Sequence, residues 1–221
     1  MNKPLLVVGN QNYSSWSLRP WMFLKGFDVA FDCDVVPMLT DDFETRVRAR
    51  SPNGKVPFLV DGDLSVSDSL AICEYAIERW VGIDRAWPKS VAARALARSM
   101  VAEMRSGFTA LRSQCPMNVR RRSGSYRLSS DTQKDVDRIL AVWRQARSLR
   151  VGDEPWLFGE FGLVDAFFAP VVFRFQSYAV GLDGEGAKYC AALLAHPAMR
   201  EWADAAIREP WSLERYEQVQ I

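Results

Sequence analysis

"KVPFLVDGDLSVSDS", Lys55 to Ser69, is the stretch that decides the fold. Two short apolar runs flank Asp61-Gly62-Asp63, a turn signal that pairs them as an antiparallel hairpin. "SLAICEYAIERW" follows directly, with Leu70, Ile72 or Cys73, and Ile77 on the apolar face of a helix. Upstream, "LLVV" (Leu5 to Val8) reads as a short buried strand. "SWSLRPWMFLKG" carries Leu18, Trp21 or Met22, and Leu24 at helical spacing and stops at Gly26. "VAFDCDVV" sets Phe31, Cys33 and Val35 against Asp32 and Asp34, a second strand. "TDDFETRVRARS" starts as a helix at Thr40-Asp41-Asp42 and stops at Pro52. The order is β-α-β-α-β-β-α: a parallel pair joined by a crossover, with the hairpin as an antiparallel edge.

Beyond "VGIDRAWPKS" every segment reads as helix. Val91 to Gln114 carries Leu96, Met100, Met104, Phe108 and Leu111 at spacings of four and three, one helix by pattern. "SSDTQKDVDRILAVWRQARSL" has a Ser/Asp start. "LVDAFFAPVVFRFQSYAV" is apolar nearly all round, as the central helix of a bundle should be. A short helix precedes His196-Pro197 and "AMREWADAAIRE" follows it. The pattern predicts two domains, an α/β domain over residues 1–81 and an all-helical domain over 88–221, with no repeats or low-complexity segments.

The chain has 221 residues, 48% apolar and 25% charged, ordinary for a globular protein with a sizeable core. Its 28 Lys and Arg balance 27 Asp and Glu, so no field favours a nucleic acid. No apolar run approaches the roughly 20 residues that span a bilayer. Leu5 to Val8 is too short for a secretory h-region. Cys33, Cys73, Cys115 and Cys190 are widely spaced with no CxxC. They read as small buried hydrophobes in a reducing cytoplasm, with no metal site. His196 is the only histidine and precedes a proline, so it reads as a helix boundary, and catalysis here works without a histidine base.

Three stretches carry candidate chemistry. In "NYSSWSLRPW", Ser14 and Ser15 precede the first helix. Such a serine caps the helix, at ~1 kcal/mol, or donates to an anion that the helix end favours. In "NGKVPFL", Pro57 heads a strand, where a trans strand start or a cis peptide both fit. With a cis bond, Val56 turns its N–H and C=O outward to pair with an extended peptide. In "VSDSLA", Asp68-Ser69 opens a helix. It is a cap, or a place for a carboxylate on the helix end with Asp68 beside it for an ammonium. A ligand with both charges on one carbon is an α-amino acid. Together the three describe a tripeptide site.

The order of elements, "GKVPFLVDG", "SDSLAICEY" and the helical second half resemble the cytosolic glutathione transferases over essentially the whole chain. "SSWSLR" resembles the serine motif of the zeta class, Ser-Ser-Cys-Ser. The resemblance implies a thioredoxin-like N-terminal domain with a cis-proline, a helical C-terminal domain, glutathione as cosubstrate and a homodimer. It implies a detoxifying transferase that conjugates the glutathione thiolate to small electrophiles. Ser14 would hydrogen-bond the sulfur, and Ser15, Trp16, Lys55, Val56, Pro57, Asp68 and Ser69 would complete the glutathione site. A free thiol has a pKa of about 8.5; the hydroxyl and the positive helix end both favour its ionised form.

Three departures stand out. Trp16 replaces the zeta cysteine, which counts against zeta-type isomerase activity. Trp16 and Trp21 read equally as walls of the site or as core. Gly162 stands where the family has Ser or Thr three residues before Asp165, leaving Asp165 to satisfy the helix start. Arg120-Arg121-Arg122 reads first as a solvated loop and second as a cationic rim to the acceptor pocket. The alternatives to a transferase are a zeta-type isomerase and a non-catalytic relative that keeps the fold for binding.

Overall fold

The computed structural model describes residues 3–124, 126–182 and 184–218. Its sheet is built on β1 (Leu5–Val8), whose last three residues are almost fully buried. β2 (Asp32–Val35) runs parallel to it with Leu5 opposite Asp32 and Val8 opposite Val35. β3 (Phe58–Asp61) pairs with the other side of β1 antiparallel, and β4 (Leu64–Ser67) closes the hairpin. The strand order is β2-β1-β3-β4, with the parallel pair and the antiparallel hairpin that the element pattern predicts. Gly62 takes the positive φ, +59°, that the tight turn requires.

α1 (Ser15–Gly26) is the crossover between β1 and β2, and α2 (Asp41–Arg48) follows β2. Thr40 caps α2 by accepting from the Phe43 N–H at 3.2 Å. Acids in its first turn and arginines in its last suit the helix dipole. α3 (Ser69–Ala76) runs into a π-helical turn, Ile77–Val81, that ends at Gly82 with φ +89°. α4 (Ile83–Ala86) leads into the helical half. That half comprises α5 (Val91–Ser106), α6 (Thr109–Gln114), α7 (Ser130–Arg147), α8 (Leu163–Ser177), α9 (Gly184–Ala195), α10 (Pro197–Arg208) and α11 (Glu214–Glu217).

Two elements differ from expectation. The single helix expected over Val91 to Gln114 is broken. Gly107 is extended and Phe108 adopts a left-handed φ of +58°. Phe108 is buried in the core, and that burial offsets the cost of an unfavourable backbone. Cys33 is exposed, whereas Cys73, Cys115 and Cys190 are buried as expected. β2 is an edge strand, and its Asp32-Cys33 half lies open to solvent.

α8 is buried over all but one of its residues and packs against α1, joining the two halves. Phe161, just before it, packs on Phe27 at 5.7 Å and stacks on His196 at 5.0 Å. His196 acts as the boundary the sequence indicated: its Nδ1 accepts from the Ala198 N–H at 3.1 Å, capping α10.

Candidate functional site

A cavity of about 220 Å³ opens at the start of α1, between the halves. Ser14, Ser15, Trp16 and Val56 line it from the N-terminal side, and Arg112, Arg174 and Tyr216 from the helical side. Trp16 therefore belongs to the site. Trp21 belongs to the core, edge-on to Trp202 at 5.1 Å.

Ser14 is the N-cap of α1, and its Oγ accepts from the Ser17 N–H at 3.4 Å. The Ser14 and Ser17 hydroxyls lie 2.7 Å apart, and Ser17 Oγ also accepts from the Gly9 N–H at 3.1 Å. Ser15 Oγ accepts from Arg174 Nη2 at 3.4 Å. Both serines are buried at the cavity wall.

The Val56–Pro57 peptide bond is cis. The β3–β1 ladder begins at Phe58, so Val56 stands outside it at the cavity edge. Pro57 is buried behind it. Lys55 is exposed and does not line the cavity; its N–H is held by Asn53 Oδ1 at 3.0 Å.

Asp68 and Ser69 lie at the start of α3, outside the cavity wall. Asp68 Oδ1 caps the helix, accepting from the N–H groups of Leu70 at 2.9 Å and Ala71 at 3.4 Å. Arg105, at the end of α5, donates to both Asp68 oxygens, at 2.7 and 3.4 Å. Partial burial opposes the Asp68 charge, but Arg105 and the helix N–H groups outweigh it and hold the carboxyl below its usual range.

A cluster of cations, Arg19 and Arg174 buried and Arg112 half-buried, stands behind the serines. The guanidinium of Arg19 lies 4.4 Å, and that of Arg112 5.1 Å, from the Trp16 ring centroid. Arg19 and Arg112 both donate to the Met104 carbonyl. Arg174 donates to the Cys115 carbonyl at 2.9 Å. Among the described residues, the hydrogen bonds of these three arginines go to main-chain carbonyls and to Ser15, never to a carboxylate. Burial lowers the pKa of all three, and mutual repulsion adds to it at Arg19 and Arg174. Arg174 falls to about 10 and stays charged at neutral pH. Buried cations without counterions make a site for an anion. The one sequence signal was Arg174 itself, a lone charge inside the apolar run of α8.

The loop that presents Ser14 is fixed from the C-terminal end. Glu209 accepts from the N–H groups of Gln11 at 2.8 Å and Asn12 at 3.0 Å. Arg120 donates to the carbonyls of Glu209 and Trp211 and to the Tyr13 hydroxyl. Arg121 donates to the Glu217 carbonyl at 2.6 Å, and Tyr13 stacks on Tyr216 at 5.1 Å. Arg120 and Arg121 are therefore a clasp on the C-terminal segment, not the solvated loop the sequence favoured, while Arg122 bonds the Val119 and Arg121 carbonyls of its own loop. The reason is that the C-terminal segment brings a row of main-chain carbonyls over the clasp.

Among the described residues, no helix is long and apolar enough to cross a membrane. Family models described as the glutathione S-transferase N-terminal domain and C-terminal domain match residues 13–79 and 76–205. The chain is 32% identical over 110 residues to a probable maleylacetoacetate isomerase of Caenorhabditis elegans, covering 49% of this chain and 50% of that protein. It is 31% identical over 98 residues to glutathione S-transferase U13 of Arabidopsis thaliana, covering 44% and 43%. The chain thus spans about half the length of the curated relatives it matches. An unclassified glutathione S-transferase of Bombyx mori superposes with a TM-score of 0.72 at 16% identity, covering 99% of both chains. A glutathione transferase homologue from Burkholderia gl BGR1, solved with glutathione bound, gives 0.69 at 21%, covering 95% of this chain and all of that one. These likenesses show the fold. With a thioredoxin-like half and a helical half in the order the sequence dictated, each matched by its own family model, the chain belongs to the glutathione S-transferase family.

Proposed function

We propose that the protein is a glutathione transferase in which the Ser14 hydroxyl stabilises the glutathione thiolate for attack on small electrophiles. The observation that carries this reading is the juxtaposition of Ser14 and Ser15, at the N-terminus of α1, with the unneutralised guanidinium of Arg174. All three features favour an anion at the cavity mouth. Val56, outside the ladder, pairs with the cysteinyl main chain of the tripeptide. Ser14 and Ser17 share one hydrogen bond, and hydroxyls rotate freely. When sulfur binds, Ser17 donates to Ser14 and the Ser14 proton turns to the thiolate. The thiolate then forms the bond to the electrophile, whose leaving group departs with the electron pair. Conjugation takes place in a reducing cytoplasm and in a homodimer; light scattering that finds a monomer at micromolar concentration removes the dimer from this proposal.

The test is the absorbance of bound thiolate against pH. Ser14→Ala keeps the fold, losing about 1 kcal/mol of cap, and raises the pKa of bound glutathione. Each unit corresponds to about 1.36 kcal/mol, or about tenfold in activity near neutral pH. A shift in Ser15→Ala alone makes Ser15 the donor. No shift in either variant removes hydroxyl activation and favours a non-catalytic binding role.

A second reading has one observation in its favour. Arg112 and Arg174 line the helical side of the cavity, which suits a carboxylate-bearing substrate. The isomerase that the nematode relative is named for acts on such a compound. Trp16 in place of the zeta cysteine weighs against it. Turnover of maleylacetoacetate with glutathione, and none with neutral electrophiles, would select the isomerase.

A further inference from the structure

The Trp16 ring lines the cavity, and two guanidiniums gather on it, Arg19 at 4.4 Å and Arg112 at 5.1 Å from its centroid. The two differ in access. Arg112 lines the cavity with Trp16, whereas Arg19 is 1% exposed and does not reach the cavity wall. The Phe167 ring also lies against Arg19, at 5.0 Å. Among the described residues, Arg19 donates only from Nη2, to the Met104 carbonyl at 3.3 Å; its Nε and Nη1 are buried with no partner. A guanidinium carries five N–H donors. Left without a carboxylate, it gains instead from the negative faces of aromatic rings. Trp16 is thus both a wall of the cavity and a cover over a buried charge.

We infer that Trp16 determines the charge of the acceptor that the cavity takes: its ring keeps Arg19 out of reach and limits the acceptor to a single carboxylate. The inference rests on the glutathione reading and deepens it to a substrate class. In that reading Arg174 is engaged beside the sulfur, through its hydrogen bond to Ser15. Arg112 is then the guanidinium left for the acceptor on the cavity wall. One guanidinium matches one carboxylate in paired hydrogen bonds. A second carboxylate meets the face of the Trp16 indole, whose negative quadrupole repels an anion. Without the ring, the unpartnered donors of Arg19 would face the cavity and bind that second carboxylate.

Maleate, its monomethyl ester and its dimethyl ester carry two, one and no charges on the same skeleton. The glutathione thiolate adds to the double bond of each, and the neighbouring carbon takes a proton from water. One C–S and one C–H bond replace the π bond, and nothing leaves. For each acceptor, kcat/KM is divided by the uncatalysed rate constant, which removes intrinsic reactivity. The unsubstituted protein should favour the monomethyl ester over maleate. Trp16→Ala should raise maleate relative to the monomethyl ester about tenfold to a hundredfold, the effect of gaining a charged hydrogen bond. Trp16→Phe should keep most of the original preference, because a ring still covers Arg19. Adding Arg19→Met to Trp16→Ala should cancel the gain, whereas a tryptophan that only fills space would let the gain survive. An unchanged ratio in Trp16→Ala, a gain that survives the loss of Arg19, or an unsubstituted protein that already favours maleate overturns the inference. Failure of the unsubstituted protein to conjugate any of the three is a different result: it removes the transferase reading, and this inference with it.

Discussion

Asp165 lies fully buried at the start of α8, accepting from the N–H groups of Gly162 at 2.9 Å and Leu157 at 3.2 Å. Burial pushes its carboxyl up to about 6, outweighing the hydrogen bonds that favour the charge. The unfolded chain releases that proton near pH 4. Between about pH 4 and 6 the folded state therefore binds more protons, and the stability from this group falls as pH rises. Below that window the contribution is complete; above it the loss is complete. Asp165→Asn should remove this component, so the difference between variant and parent in urea unfolding should change across pH 4–6 and level off beyond. A constant difference over that range contradicts the assignment. Asp165→Ala at pH 7 strands two buried N–H groups and should cost about 2–4 kcal/mol. The role of Asp165 was legible because a helix start needs acceptors and Gly162 has no side chain to offer. Ser14 and Ser15 were legible as a helix start for the same local reason, and Val56 through the proline that follows it, whereas the sequence left Trp16 between cavity wall and core. Arg105 was not: it meets Asp68 from 37 positions away. Arg174 reaches Ser15 across 159 positions, and no window of sequence holds both.

At the scale of elements, periodicity placed the strands and most helices because each has one face to bury. It failed where two neighbouring segments share a face. Met104, Phe108 and Leu111 keep helical spacing across the break between α5 and α6, and all three are buried. The apolar pattern therefore reads straight through. The local sign was Gly107, but a glycine inside a helix costs only about 1 kcal/mol relative to alanine and is often tolerated. The break has a consequence for the site. A Cβ at position 107 would stand 2.9 Å from the Glu103 carbonyl oxygen, so a glycine lets the chain turn sharply there. That turn ends α5 at the place where Arg105 reaches Asp68, and starts α6 at the place where Arg112 reaches Trp16. One unbroken helix would run on in the direction of α5 instead.

At the scale of the whole molecule, the loop that presents Ser14 belongs to one half and its restraint to the other. Residues 9–14 link β1 to α1, but Glu209 holds two of their N–H groups and Trp202 donates to the Gln11 carbonyl at 2.8 Å. The helical half thus sets where Ser14 stands, and Tyr216 and Glu217 of α11, packed on and bonded to Tyr13, finish that restraint. Glu209 is nearly fully buried; burial raises its carboxyl pKa, against the hydrogen bonds from Asn12 and Gln11. Glu209→Ala removes two hydrogen bonds to a charged acceptor, each worth about 1.5–3 kcal/mol. It should lower stability by at least that of one bond, speed amide exchange at Gln11 and Asn12, and raise the pKa of bound glutathione by loosening Ser14. The exchange and thiolate measurements separate this from general destabilisation, because a globally weakened protein would lose protection in the β1 strand as well. If Gln11 and Asn12 keep their protection while β1 loses it, Glu209 supports only the fold. If they lose protection and the thiolate pKa stays fixed, the loop moves without carrying Ser14. Either result breaks the link between the C-terminal segment and the chemistry.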